Sequence, residues 1–147
     1  MVTAEQTFVI VGAGLAGAKT AEALRTEGFG GRVVLIGDET EGPYERPPLS
    51  KDYPQGKSEQ DKIYVHPQGW YAEHDVDLRL GTRVCAIDRA AREVTVEGGE
   101  RVGYHKLVLA TGSSPRRLRV PGADLDGVLY LRGVTDCEAM KAAFATA

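Results

Sequence analysis

The sequence predicts an α/β fold: a parallel βαβ unit joined to a small antiparallel β-meander. Three observations predict it. Two short apolar, β-branched runs, Thr7–Val11 and Arg32–Ile36, flank a stretch with helical periodicity. A glycine cluster, Gly12-Ala13-Gly14-Leu15-Ala16-Gly17, sits where the first run meets that stretch. Further along, short apolar segments follow one another with glycine turns between them. Composition bounds the rest. With 147 residues, 42% hydrophobic and 27% charged, the chain can bury a core. That excludes a disordered, collagen-like or membrane-embedded chain. A net charge of −3 argues against nucleic acid, whose phosphates need a basic face. The 18 glycines and 7 prolines show no period and imply many tight turns.

Each element has its reason. Thr7–Val11 reads as a strand buried on both faces. Residues 16–26 form a helix, with Gly17, Ala21 and Leu24 at helical spacing and Lys19, Glu22 and Arg25 on other faces. The glycines at 28, 30 and 31 stop it. Arg32–Ile36 is the second buried strand and completes the βαβ unit. Residues 37–69 carry most of the prolines and read as a long ordered loop. A short helix is expected near Pro48, since proline suits a first helical turn. Residues 70–74 form another short helix, and 76–80 a short strand. Segments 83–88, 93–97 and 101–105 make the meander, with Gly98-Gly99 as a hairpin turn. Residues 106–110 read as a further buried strand and 128–131 as a strand. Asp136, or Thr135, is expected to cap a final helix.

The glycine cluster carries the chemistry. Gly12 allows the tight turn, Gly14 lets a pyrophosphate approach the backbone, and Gly17 lets the helix pack close to the sheet. The helix then offers unpaired N–H groups and a positive dipole end to phosphates. The pattern needs an acidic residue after the second strand, for a ribose hydroxyl. Asp38 stands there, with Glu39 as the neighbouring candidate. Together these describe a Rossmann-like dinucleotide-binding βαβ unit.

Three blocks then point to a family. Pro43-Tyr44-Glu45-Arg46-Pro47-Pro48-Leu49-Ser50-Lys51 resembles the segment after the first βαβ unit of FAD-dependent ferredoxin reductases. These are the putidaredoxin and rubredoxin reductase type, within the pyridine nucleotide-disulfide oxidoreductase superfamily. Residues 104–116, through Ala110-Thr111-Gly112, resemble the family's strand ending in Ala-Thr-Gly. Residues 128–132, ending at Arg132, resemble a third block. The blocks occur in family order, and the resemblance spans the chain.

The resemblance implies roles position by position. Gly12, Ala13, Gly14, Leu15 and Ala16 would wrap the FAD pyrophosphate, with Gly17 packing the helix. Asp38 would hold the adenosine ribose and Val84 would place its backbone at the adenine. Ala110, Thr111 and Gly112 would pass beside the cofactor, and Arg132 would reach it. Arg46 and Lys51 would lie along it. Lys51, near the reactive edge of the flavin, is the expected catalytic residue, because a fixed cation stabilises charge that develops on reduction. The disulfide reductases on this fold carry a cysteine pair in this region; here Arg46 to Lys51 contains none. Electrons are therefore expected to pass from the flavin to a ferredoxin-like protein rather than through a dithiol.

The remaining candidates are assigned less. Cys85 and Cys137 lack metal-ligand spacing, and Cys85 reads as a buried small hydrophobe. No metal site is expected. His66, His74 and His105 have no partner spacing, and Arg116, Arg117 and Arg119 read as a solvated run. Trp70, Tyr64 and Tyr71 are expected to pack the long loop onto the body. No basic residues lead into the first apolar run, so a cytoplasmic protein is expected, with neither membrane nor nucleic acid as partner. Residues 1–112 are expected to be the N-terminal part of an FAD-binding domain. Residues 113–147 would be the crossover and start of an NAD(P)H-binding domain that the chain does not contain. The isolated chain is then expected to be catalytically incomplete. The alternative is a truncated module that binds FAD weakly or not at all.

Overall fold

A computed structural model of the chain describes residues 5–146. The expectation of a final helix running to the last residue ends, at Ala147, outside the described residues. Two compact units make up the structure. The first comprises Met1–Tyr44 and Tyr64–Gly112, and the second Glu45–Ile63 and Ser113–Ala147.

In the first unit, β1 (Thr7–Val11), α1 (Leu15–Thr26) and β2 (Arg32–Ile36) form the βαβ unit. Two further strands, β3 (Val76–Arg79) and β7 (Lys106–Leu109), complete a parallel sheet in the order β3-β2-β1-β7. Between them in sequence, β4 (Val84–Asp88), β5 (Glu93–Val96) and β6 (Arg101–Gly103) form the antiparallel meander. Gly98 and Gly99, both at positive φ (94° and 90°), make the tight β5–β6 connection. A left-handed backbone there suits glycine.

The central strands are apolar at every buried position because both faces are covered. Val9, Val11, Val34 and Ile36 pack with Val94, Val96 and Val102 of the meander. Ile10, Val33 and Leu35 face the other way and pack with Ala21 and Phe29. Tyr71, from the short helix α2 (Trp70–Glu73), joins that second cluster. Each fully buried Val, Leu or Ile stabilises by roughly 1.5–3 kcal/mol. Small residues Gly17, Ala18 and Ala21 form the buried face of α1 and let it sit close to the sheet.

Arg25 locks this unit together. Its guanidinium donates to Phe29 O (2.6 Å), Gly31 O (2.9 Å), His74 O (2.8 Å) and Asp75 O (2.8 Å). One side chain thereby fixes the α1–β2 turn against the α2–β3 turn. Arg25→Ala should cost about 2–3 kcal/mol, because two of those carbonyls are partly buried. Arg25→Lys should recover less than half, since an ammonium cannot reproduce the planar fork. Urea denaturation measures both.

The second unit contains 3-10 turns at Pro47–Ser50 and Gln60–Ile63 and the helix α3 (Val134–Ala145). Leu49, Tyr53, Ile63, Val134 and Cys137 are its buried residues. No described helix is long and apolar enough to cross a membrane.

Five sequence expectations need correction. Helix α1 begins at Leu15, one residue early, with Gly14 as N-cap. Residues 106–110 are not a fully buried strand. Among the described residues β7 pairs with β1 alone, and Leu109 is 59% exposed. Residues 128–131 are not a strand. They find no ladder partner among the described residues, and an apolar run without a partner has no reason to become one. Asp136 is not an N-cap. It stands at the third position of α3, and its carboxylate reaches back to accept from Arg132 N (2.9 Å) and Gly133 N (2.8 Å). Cys85 is exposed, on the outward face of the meander.

Candidate functional site

The glycine turn is built by two close contacts and one open space. Gly12 has φ +113°, and its N–H donates to Ile36 O at 2.8 Å. A Cβ there would stand 2.0 Å from Ala110 O, so β7 can approach only a glycine. A Cβ on Gly17 would meet Gly12 O at 1.9 Å and Leu35 Cδ1 at 3.1 Å. Gly14 is different. Its φ is −95°, and a Cβ there would meet nothing within 4 Å. The fold therefore dictates Gly12 and Gly17 but leaves Gly14 open.

That opening lies at the start of α1. Gly14 caps the helix without a side-chain hydrogen bond, and no acidic residue occupies the first turn. The N–H groups of Leu15, Ala16 and Gly17 have no intrahelical acceptor by helix geometry. Over a 12-residue helix the aligned peptide dipoles add a positive end at the same place. An anion placed over Gly14 meets donors and favourable field, and no side chain of the turn competes for the position.

The other candidate residues of this unit stand at the ends of its strands. Ala110 N donates to Val11 O (2.7 Å), carrying β7 to the turn; Thr111 and Gly112 follow it exposed, Gly112 at φ +70°. Asp38 is exposed just past β2. Its neighbour Glu39 accepts a hydrogen bond from the Tyr44 hydroxyl. Of the two acids, Asp38 is the one left facing solvent. Val84 is half-buried and packs against the Val9 cluster. Sequence reasoning missed Gly37. A Cβ there would lie 2.5 Å from Ala13 Cβ, and its backbone joins Arg79 O (2.9 Å) and Thr82 N (2.8 Å). The signal was present, since Gly37 directly follows β2.

Three other candidates belong to the second unit. Arg46 donates to Arg132 O at 2.8 Å, bringing two of them together across 86 residues of sequence. Lys51 follows the Pro47–Ser50 turn and is exposed. Helix α3 holds this loop in place. Cys137 Sγ donates to Leu49 O (3.3 Å) and the Tyr53 hydroxyl donates to Glu138 Oε1 (2.5 Å). Lys141 Nζ also reaches Glu138 Oε1 (3.2 Å) and lies over the Tyr53 ring. The Tyr53 hydrogen bond, aided by Lys141, holds the Glu138 carboxyl below its ordinary range. Its contribution is present above the ordinary glutamate range and lost as the pH falls through the lower folded value. Glu138→Gln should flatten the acid side of the stability profile, read from denaturation midpoints between pH 3 and 7 as an order-of-magnitude window. An unchanged profile would remove Glu138 from this role.

The family model of the pyridine nucleotide-disulphide oxidoreductases matches residues 6–146. The chain belongs to this family. Among curated relatives it is 41% identical over 137 residues to the biphenyl dioxygenase system ferredoxin–NAD(+) reductase component of Paraburkholderia xenovorans. That match covers 93% of this chain and 33% of the relative. Among solved structures it superimposes on the ferredoxin reductase for the CYP199A2 system of Rhodopseudomonas palustris, with TM-score 0.91 and 37% identity. The match covers 97% of this chain and 35% of that one. It also matches putidaredoxin reductase in its covalent complex with putidaredoxin, at TM-score 0.88 and 38% identity, over 96% of this chain and 34% of that one. The chain thus spans about a third of the length of the reductases it matches, and its α/β fold, parallel sheet plus antiparallel meander, is that of the pyridine nucleotide-disulphide oxidoreductase family.

Proposed function

We propose that this chain is the FAD-binding portion of an oxidoreductase that passes electrons from NAD(P)H to a ferredoxin-like iron–sulfur protein. The observation that carries the reading is the open position of Gly14 between two glycines that the fold cannot replace. A turn needed only for packing has no reason to keep that third glycine. Family membership and the reductase relatives support the same reading.

The roles follow the chemistry of each residue. Gly12 to Ala16 cradle the pyrophosphate with backbone N–H groups, and Gly17 holds the helix against the sheet. Asp38 accepts from the ribose hydroxyls. Val84 meets the adenine with its backbone, and Ala110, Thr111 and Gly112 flank the cofactor. Arg46, Lys51 and Arg132 supply fixed cations and donors to it. When bound, FAD supplies the redox chemistry, and the chain orients it and sets its electrostatics. NAD(P)H binding is proposed to belong to the part of the longer relatives outside the matched third. The electron acceptor is a small redox protein, the setting is cytoplasmic, and neither membrane nor nucleic acid takes part.

Two measurements test this. Adding FAD to the purified chain should give a yellow protein with a shifted flavin band, and a folded monomer indifferent to FAD would refute cofactor binding by these 147 residues on their own and favour the truncated module. In a full-length reductase carrying this chain, Lys51→Ala should lower the flavin potential by roughly 20–60 mV, because a cation beside the reduced flavin is lost. An unchanged potential would strip Lys51 of its role.

A further inference from the structure

One carboxylate organises the start of α3. Asp136 stands at the third helical position, and its Oδ2 accepts from both Arg132 N (2.9 Å) and Gly133 N (2.8 Å). The unmatched N–H groups and the positive end of the dipole favour an acid there. Helix capping accounts for the acid, but not for what lies on the far side of the peptide it grips.

The Gly133 N–H and the Arg132 C=O belong to one peptide unit. That unit is trans and planar, so the two groups point in opposite directions and turn together. By fixing the N–H, Asp136 also fixes the carbonyl. The carbonyl accepts from Arg46 Nη1 at 2.8 Å, across 86 residues of sequence. A carboxylate on the N–H side polarises the peptide and makes its oxygen a stronger acceptor. The backbone of Arg46 is tied separately: its carbonyl accepts from Leu49 N (3.0 Å) at the start of the Pro47–Ser50 turn. That tie places the Cα but leaves the long side chain its rotamers. The bond to Arg132 O restricts them. All three bonds in the series from Asp136 to Arg46 are partly buried, so water competes little for them.

We propose that Asp136 is a positioning residue for Arg46, acting through the Arg132–Gly133 peptide. The proposal rests on the FAD reading above, in which Arg46 contacts the cofactor. Asp136 meets no cofactor itself. Its carboxylate aims one carbonyl, the carbonyl aims the guanidinium, and FAD affinity thereby depends on the first turn of α3.

The test follows Arg46 in the isotope-labelled 147-residue chain. Side-chain Nε–H order parameters are measured by NMR relaxation, with Arg25 as the ordered reference and the exposed Arg89 as the mobile one. In the parent, Arg46 should fall near Arg25. Asp136→Ala should move it toward Arg89, and Asp136→Asn, which keeps an acceptor oxygen, should restore most of the order. Ala142→Gly weakens α3 at an exposed position without touching its cap, and should leave Arg46 ordered. Flavin fluorescence then gives FAD affinity. Asp136→Ala should weaken FAD about tenfold in the parent and less than twofold in an Arg46→Gln background, because the two residues act in series. Equal order of Arg46 in the parent and Asp136→Ala would overturn the relay, and so would a loss in Ala142→Gly that matches Asp136→Ala. An undiminished effect of Asp136→Ala in the Arg46→Gln background would overturn action through Arg46. A parent chain indifferent to FAD counts against the FAD reading of this chain, while the order of Arg46 still decides the relay.

Discussion

Gly14→Val should abolish FAD binding while leaving the chain folded. The added Cβ meets nothing within 4 Å, so packing does not oppose it at that atom. Its backbone, at φ −95° and ψ −163°, is extended and accepts a β-branched residue. The loss at the helix cap is about 0.5–1 kcal/mol, small because glycine there contributes no side-chain bond. The branched side chain instead fills the space where a pyrophosphate would touch the backbone. The N–H groups beneath it are then out of reach, and affinity should fall by a factor on the order of 100 or more. Flavin fluorescence on titration gives the affinity, and urea denaturation gives the stability. Retained binding in a folded variant would refute the assignment of the site.

Gly12→Ala and Gly17→Ala should fail in the opposite way. Each new Cβ would sit about 2 Å from a backbone oxygen, Ala110 O in one case and Gly12 O in the other. Backbone cannot rotate aside as a side chain can, so strands or helix must move apart. Gly12 adds the strain of a left-handed φ on a residue with a Cβ. Either substitution should cost about 3–5 kcal/mol, at the exceptional end for one methyl group. The denaturation midpoint should fall far enough to threaten folding at 37 °C as an order-of-magnitude expectation. A variant with near-parent stability would show that the turn is looser than its contacts indicate.

The contrast between these glycines shows what the sequence could and could not convey. Their spacing, after one buried run and before another, was readable because the phosphate turn needs all three together. Thr7–Val11 and Arg32–Ile36 were readable to the residue, since runs buried on both faces and bounded by glycine have few alternatives. Residues 128–131 carry the same apolar character and are not a strand, because a strand depends on a partner elsewhere in the chain. The misreading of residues 106–110 has the same origin: local pattern shows a strand but not its place at the sheet edge. Asp136 was recognised as a cap former, and only the backbone shows that it works from inside the helix. Between Asp38 and Glu39 the sequence left two candidates. The Tyr44 hydroxyl, five residues on, engages Glu39, and nothing in the local pattern announces that pairing. The reach of Arg46 to Arg132 lies further from view, being a product of tertiary approach.

That reach has a consequence for how the molecule is made. The contacts of Arg46 with Arg132, Leu49 with Cys137, and Tyr53 with Glu138 span 85 to 88 residues. During synthesis the loop after β2 emerges long before the helix that anchors it. At roughly 5–20 residues per second, the wait is about 4–17 s. Through that interval Leu49 and Tyr53 lack their α3 partners, although both are buried in the finished unit. The nascent chain therefore passes through a stage in which this loop lies open to chaperones and proteases.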